Sequence, residues 1–168
     1  MLNKLNNHSK EKGERRMAEQ KLEMVQEIVR IKQVVTEGEI ARKVITSPDV
    51  AAAIATEYIG DEDREVFLVM VLNTKNEVNA VHRCHVGSIN ASIVHPREVF
   101  KAAILNNGTS IVVAHNHPSY NPEPSREDIQ VTGRLQEAGS YLGIEVLDSL
   151  IVTQDPNVYI SLKDLGYL

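Results

Sequence analysis

The sequence predicts an α/β or α+β fold in which helices flank a mixed β-sheet. Two uninterrupted apolar runs, Val66 to Leu72 and Ile111 to Ala114, have the β-branched character of strands that are buried on both faces. Segments with helical periodicity lie before, between and after these runs, at 49–58, from Pro96 onward and at 128–142. This intermixed order of strands and helices favours a layered fold built on one sheet.

The first half of the chain is predicted to alternate between helix and strand. A short helix is expected at 18–27 and an edge strand at 28–36. The helix at 49–58 starts at Ser47-Pro48-Asp49, because Ser is a favoured cap and Pro suits the first helical position. After the first apolar run, Thr74-Lys75-Asn76 predicts a hairpin turn to a partner strand at Val78 to Val86.

The second half continues the alternation. The helix that begins at Pro96 is closed by Asn106-Asn107-Gly108 and leads to the second apolar run. Four apolar residues of the next helix are candidates for its buried face: Ile129, Leu135, Ala138 and Leu142. Further strands are predicted at Ile144 to Val152 and Val158 to Leu162.

Length and composition suit one domain with an extension. The chain has 168 residues, of which 42% are hydrophobic, which is enough for a single core. We interpret 1–24 as a polar extension, disordered or helical, and 25–168 as the folded domain. Neither a membrane span nor the apolar core of a signal peptide is visible in the sequence, so a soluble, cytoplasmic protein is expected.

Charge and cysteine content exclude several kinds of function. The formal charge is −5 at pH 7, and there is no Trp, so broad nucleic-acid binding through a basic, base-stacking surface is disfavoured. The single cysteine, Cys84, excludes an internal disulfide framework and any cysteine-rich zinc site. Cys84 is expected to be a partly buried packing residue of the strand Val78 to Val86.

The strongest functional signal follows the second apolar run. His115 and His117 are two apart at the end of a strand, so both side chains point the same way and could share one metal ion. The loop after Pro118 cannot continue as a strand and leads to a helix start at Ser125, with Asp128 in its first turn. A carboxylate there could be a third ligand, leaving a position open for water as in catalytic zinc sites.

Each part of this pattern also has an ordinary structural interpretation. Ser125 and Asp128 have the spacing of a capping box, in which the serine side chain accepts from the backbone N–H of Asp128. Histidines in strands are commonly plain core or surface residues. The combination of His-x-His, a seven-residue spacer, Ser, two residues and Asp is much more specific than its parts.

This combination resembles the signature of the JAMM metalloproteases (MPN or JAB domains), and HNHPSxxPxPSxxD is similar to their RadC-like bacterial branch. The segment from Val86 to Phe100 and the strand Gly143 to Asp148 also resemble that family, so the resemblance covers about 29–161. It implies a cytidine-deaminase-like JAB fold and a zinc hydrolase acting on an amide bond of a peptide or protein substrate. Two departures occur: Ser119-Tyr120-Asn121-Pro122 replaces Ser-Gly-Asp-Pro, and Ser149 replaces His, both expected to alter the rim of the site.

The resemblance also implies roles for individual residues. His115, His117 and Asp128 would hold Zn²⁺, and Glu65, just before the first long strand, would be the general base and acid. Ser125 would donate to the oxyanion of the tetrahedral intermediate, a role compatible with capping. The residue-level alternative for Glu65 is a solvated charge at a strand end.

Two other functions stay open. The RadC-like branch carries a historical association with DNA repair, and some MPN domains are non-catalytic interaction modules. Three further histidines are left out of the ligand set. His82 and His85 are three apart in a strand and are expected to face opposite sides, while His95 precedes Pro96 and is expected to define a helix entry.

Overall fold

The computed structural model describes residues 43–89 and 94–168. The helix and strand predicted at 18–27 and 28–36, and the extension at 1–24, lie outside these residues. The described elements, in chain order, are α1 (Pro48–Ile59), β1 (Val66–Leu72), β2 (Val78–Val86), α2 (Pro96–Leu105), β3 (Ser110–Asn116), α3 (Arg126–Leu142), β4 (Glu145–Val152) and β5 (Tyr159–Ser161).

The five strands form one mixed sheet, in the order β2-β1-β3-β4-β5. β1 pairs antiparallel with both β2 and β3, β3 pairs parallel with β4, and β4 pairs antiparallel with β5. β1 and β3, which lie at the centre, are buried along their whole length. The predicted mixed α+β class with flanking helices is therefore confirmed.

Helices cover both faces of the sheet. Because side chains alternate along a strand, β1 sends Leu68 and Met70 towards α1 and sends Phe67 and Val69 towards α2 and α3. Each face has its own hydrophobic cluster. Burial of these apolar side chains on both faces explains why the central strands appear as uninterrupted apolar runs in the sequence.

The helix boundaries agree with local sequence signals, with two differences in detail. Ser47 occupies the N-cap position of α1, but its side chain makes no capping hydrogen bond. Leu142, predicted to be buried, is 49% exposed. It is the last residue of α3 and lines an exposed groove with Phe100 and Ile104 of α2 instead of packing on the sheet.

The pairing of β2 with β1 contains a bulge that the sequence did not predict. Phe67 pairs with His85 and Leu68 pairs with Arg83, so Cys84 is an extra residue. His82 pairs with Val69, and directly opposed residues share a face, so His82 and His85 lie on the same face of the sheet. The expectation that they face opposite sides is wrong, because simple alternation does not hold across a bulge.

Candidate metal centre

The two histidines of the motif lie at the end of β3 with their side chains together. His115 is buried, and its Nε2 atom is 3.1 Å from Nε2 of His117. His117 follows the last residue of β3, but its backbone N–H still donates to the carbonyl of Val152 in β4. The alignment of the strand therefore extends to His117, and both imidazoles point to the same side.

Asp128 brings a carboxylate to these two imidazoles from the first turn of α3. Its Oδ1 atom is 3.1 Å from Nε2 of His115, and its Oδ2 atom is 3.7 Å from Nε2 of His117. One donor atom from each residue lies within 4.8 Å of the others. Among the described residues, this is the group that could hold a metal ion.

The spacing and chemistry of the three donors fit zinc. Ligands about 2.0–2.1 Å from a tetrahedral ion are about 3.3 Å apart, and the nearest separations here are 3.1, 3.1 and 3.7 Å. Imidazole and carboxylate ligands both suit Zn²⁺. Three protein ligands leave one tetrahedral position for water or substrate, as in catalytic zinc sites.

Hydrogen bonding orients His117 for metal binding. Its Nδ1 atom lies 2.8 Å from the carbonyl oxygen of Asn121, so Nδ1–H donates and the Nε2 lone pair points towards the other ligands. The nearby carboxylate of Asp128 raises the pKa of His117 and outweighs the opposite effect of burial. A proton therefore competes with a metal ion for this imidazole at a higher pH than for an ordinary histidine.

His115 packs against an aromatic neighbour. Its ring stacks on Phe67 with an interplanar angle of 11° and a centroid distance of 6.3 Å. Its Nδ1 atom is buried without a hydrogen-bond partner among the described residues. The rigid aromatic neighbour fixes the ring plane, which keeps Nε2 directed at Asp128.

Ser125 and Asp128 form the predicted capping box. The backbone N–H of Asp128 donates to Ser125 Oγ at 3.1 Å, and the backbone N–H of Ser125 donates to Asp128 Oδ2 at 2.8 Å. The Ser125 hydroxyl also donates to Oδ2 at 2.6 Å. Burial alone raises the pKa of Asp128, but the hydrogen bonds from His115 and Ser125 and the nearby imidazole of His117 hold that pKa well below its usual range. Asp128 is therefore ionised. Its Oδ1 atom has fewer protein partners than its Oδ2 atom.

A cavity of about 620 Å³ opens beside these residues. It is lined by side chains and backbone from three regions of the fold: Asp63, Arg64, Glu65, Gly87, Ser88, Ile89, His117, Pro118, Ser119, Ser125 and Asp128. Of the residues singled out in the sequence, Glu65, His117, Ser125 and Asp128 share this cavity, while His115 is buried beneath it. Asp63, an exposed acid two residues before Glu65, also lines it.

Backbone groups fix the position of Glu65. The N–H of Ile89 donates to Glu65 Oε2 at 2.7 Å, and the N–H of Gly87 donates to the Glu65 carbonyl at 2.8 Å. Ile89 and Gly87 belong to the segment that follows β2. The end of β2 therefore positions the carboxylate at the wall of the cavity.

Asn116 is a site residue that sequence reasoning missed. It lies between the two histidines and is 1% exposed. Its Oδ1 atom accepts from the N–H of Val66, and its Nδ2 atom donates to the carbonyls of Glu62 and Arg64. An asparagine at the end of a buried strand was the available signal, because such a side chain must find buried partners.

A family model for the RadC-like JAB domain matches residues 45–167. The chain belongs to the RadC-like JAB domain family. It is 48% identical to a UPF0758 protein of Shouchella clausii over 131 residues, which cover 78% of this chain and 56% of that relative. A UPF0758 protein of Rubrobacter xylanophilus is 51% identical over 127 residues, covering 76% of this chain and 55% of that protein. The chain thus spans somewhat more than half the length of these relatives.

The two departures from the RadC-like pattern have different surroundings. Tyr120 is an exposed residue with a positive φ of 60°, in the loop where the pattern has glycine. Ser149 is buried and accepts from the hydroxyl of Thr132 in α3 at 2.9 Å. Ser149 therefore does not lie on the rim of the cavity, and that expectation is wrong.

The remaining residues singled out in the sequence have structural contacts. His95 is the N-cap of α2 and accepts from the N–H of Arg97, as predicted. Cys84 is half-buried against the α2 side of the sheet, and burial raises the pKa of its thiol.

Among the described residues, no helix has both the length and the apolar character needed to cross a membrane.

Proposed function

We propose that the domain is a zinc-dependent hydrolase of the JAMM type, a metallopeptidase or isopeptidase that cleaves an amide bond in a peptide or protein. One observation carries the proposal: His115, His117 and Asp128 converge at the cavity whose wall holds Glu65. Membership of the RadC-like JAB domain family supports the same chemistry.

Zinc, when bound, would supply Lewis acidity to polarise a carbonyl and to lower the pKa of water to about 7. His115, His117 and Asp128 would hold it through Nε2, Nε2 and Oδ1. The neutral tautomer of His117 needed for this is set by the bond from its Nδ1–H to the Asn121 carbonyl.

Glu65 would act as general base and then general acid. Its carboxylate would accept a proton from the attacking water and pass that proton to the leaving amine nitrogen. The Ile89 N–H donates to Oε2, and Oε1 would take the proton. A fixed carboxylate serves this purpose better than a mobile one because proton transfer depends on geometry.

Ser125 would donate to the oxyanion of the tetrahedral intermediate. At rest its hydroxyl donates to Asp128 Oδ2, so the hydroxyl hydrogen must turn towards the cavity as negative charge develops on the substrate. Asp128 keeps the hydrogen bond from the Ser125 backbone N–H during this change. The cap therefore holds the ligand while the hydroxyl serves catalysis.

Elemental mass spectrometry and peptide hydrolysis test the proposal together. We expect about one zinc per wild-type chain, retention in Glu65→Gln, and loss in His117→Ala and Asp128→Ala. His82→Ala, a histidine outside the site, is the matched control and should retain the metal. Fluorogenic peptide amides and isopeptide-linked peptides should be cleaved by wild type and His82→Ala, and not by Glu65→Gln.

The two arms of the experiment have distinct negative results. A wild-type protein that stays metal-free after zinc is supplied contradicts the metal site, and the non-catalytic interaction module then becomes the preferred function. A zinc-loaded protein whose activity survives Glu65→Gln contradicts the role of Glu65.

A further inference from the structure

A second cavity, of about 390 Å³, lies beside the loop that follows His117. It is lined by Tyr120 and by the turn after β4: Thr153, Gln154, Asp155 and Val158. The backbone N–H of Tyr120 donates to the carbonyl of His117. This turn brings the two Cα atoms within about 7 Å of each other, so the second cavity adjoins the metal centre.

The backbone at Tyr120 is required by the metal site, but its side chain is not. The positive φ at Tyr120 turns the chain so that the next residue, Asn121, presents its carbonyl to His117 Nδ1. Glycine adopts this conformation without steric cost, whereas an aromatic residue adopts it only at a steric cost. Tyr120 is 59% exposed, and its hydroxyl has no hydrogen-bond partner among the described residues. Neither packing nor backbone geometry therefore accounts for the ring.

Two of the residues that line this cavity, Gln154 and Asp155, carry hydrogen-bond acceptors without a partner among the described residues. Asp155 Oδ1 accepts from Asn157, while its Oδ2 atom has no partner within the described part of the chain. The Nε2 donor of Gln154 is used by Asp61, which leaves the amide oxygen of Gln154 available. The Thr153 hydroxyl bonds carbonyl oxygens within its own turn. The face of the Tyr120 ring adds a region of negative potential.

We propose that this cavity is a substrate subsite for a lysine or arginine side chain close to the bond to be cleaved. A cation that donates several hydrogen bonds matches an aromatic face, a free carboxylate oxygen and an amide oxygen. No lysine or arginine lines the cavity, and Asp61 adds a second carboxylate behind Gln154. The assignment of this surface to substrate recognition rests on the proposed hydrolase function, whereas binding of the cation can be measured without turnover.

Two small probes test the charge preference. Nα-acetyl-lysine methylamide carries the ammonium group, and Nα-acetyl-norleucine methylamide is its uncharged counterpart. In NMR titrations of the full chain at neutral pH, with and without zinc, the lysine probe should shift the amide signals of Tyr120, Gln154 and Val158. The norleucine probe should bind at least threefold more weakly, because it makes neither the cation–π contact nor the charge interaction of the ammonium group. Added salt should weaken binding of the lysine probe and leave binding of the norleucine probe unchanged.

Substitutions then locate the binding site. Tyr120→Leu removes the aromatic face, and Asp155→Asn removes the charge but keeps an oxygen that can accept from Asn157. Each substitution should weaken binding of the lysine probe about threefold or more. Tyr141→Leu is the matched control, because Tyr141 is 83% exposed on α3, and it should leave binding unchanged. If activity is found, Tyr120→Leu should raise KM for a lysine-containing peptide and leave kcat unchanged.

Several results overturn the subsite. Equal binding of both probes would show that the cavity binds apolar side chains and does not select a cation. Shifts confined to Glu65, Ile89 and their neighbours would assign the cation to the metal-site cavity instead. Absence of shifts at millimolar probe would exclude a subsite of either kind. A protein that binds the lysine probe but no zinc would contradict the proposed hydrolase and not the cation site.

Discussion

The side-chain amide of Asn116 is hydrogen-bonded to the backbone of Val66, with 2.7 Å between Oδ1 and the amide nitrogen. Its Nδ2 atom donates to the carbonyl of Arg64 at 2.9 Å. Glu65 stands between Arg64 and Val66, so the strand that carries the histidines fixes the backbone on both sides of Glu65. The candidate metal ligands and the proposed general base, Glu65, are thus connected through Asn116, which is itself outside the proposed ligand set.

Replacement of Asn116 should therefore damage catalysis more than metal binding. Asn116→Ala leaves the N–H of Val66 and two carbonyls without their partner, which we expect to cost about 1–3 kcal/mol of unfolding free energy. Zinc content should persist, while kcat should fall at least tenfold because Glu65 loses its position. Urea denaturation, elemental analysis and peptide hydrolysis measure the three quantities.

Asn106→Ala is the control for this change. Asn106 donates through Nδ2 to the carbonyl of Ala102 at the end of α2, away from the site. Its loss should lower stability slightly and leave kcat unchanged. A kcat that survives Asn116→Ala in folded, zinc-loaded protein would mean that Glu65 is positioned by other contacts, such as the bond from Ile89.

The capping box makes a separate prediction for Ser125. Ser125→Ala removes the side-chain acceptor for the N–H of Asp128 and should lower the unfolding free energy by about 1 kcal/mol. It should also lower kcat more than zinc content, because the backbone N–H of Ser125 still holds Asp128. Thermal unfolding, metal analysis and turnover of one peptide substrate separate these effects.

Ser47→Ala is the matched control, since Ser47 occupies an N-cap without making a capping hydrogen bond. It should be nearly neutral for both stability and turnover. Ser125→Thr keeps a hydroxyl that can cap and should recover much of the activity. Equal loss of zinc and of kcat in Ser125→Ala would argue against the oxyanion role and leave Ser125 as a cap only.

Features determined by neighbours in sequence were predictable. The bounds of β1 and β2 agree with the apolar run and hairpin signals, and the Ser125–Asp128 box follows from a three-residue spacing. The role of Asn116 was not predictable in this way, because its partners are backbone groups 50 to 54 positions earlier in the chain. A side-chain pattern does not show which backbone groups a fold leaves without partners.

The bulge at Cys84 limited prediction in another way. Sequence alternation assigns a face to each strand residue only while the register is continuous. One extra residue in β2 brought His82 and His85 to one face, although the strand itself was predicted with its observed bounds. The cavity at Tyr120 was also hidden, because its other lining residues belong to a turn more than 30 residues later.

Asp148 should make stability depend on pH. Burial raises its pKa, although bonds from the Ser161 hydroxyl and from the N–H groups of Ser149 and Lys163 oppose the shift. Because the folded pKa lies above the ordinary value of 3.8, ionisation is less favourable in the folded state. This residue's contribution is therefore most favourable below that value and declines as pH rises through the folded pKa.

Asp148→Asn should remove that dependence. The asparagine oxygen can still accept from Ser161, so the variant should fold. The unfolding free energy of wild type minus that of Asp148→Asn should decrease as pH rises from about 4, as measured by urea denaturation across a pH series. Asp148→Ala, which loses the hydrogen bonds, should instead be less stable than Asp148→Asn at every pH. Parallel curves for wild type and Asp148→Asn would contradict the raised pKa.

Alanine substitution at two glycines of α3 should change the unfolding free energy in opposite directions. A Cβ atom at Gly139 would lie 2.4 Å from the carbonyl oxygen of Ile144 and 3.2 Å from the ring of Phe100. Gly139→Ala should therefore push α3 away from the sheet and lower the unfolding free energy by about 1–3 kcal/mol. A Cβ atom at Gly133 meets nothing within 4 Å among the described residues. Gly133→Ala should raise the unfolding free energy by about 0.8–1 kcal/mol, since alanine favours the helix. Denaturant unfolding of both variants tests the packing, and an unchanged or raised unfolding free energy in Gly139→Ala would contradict the close contact at Gly139.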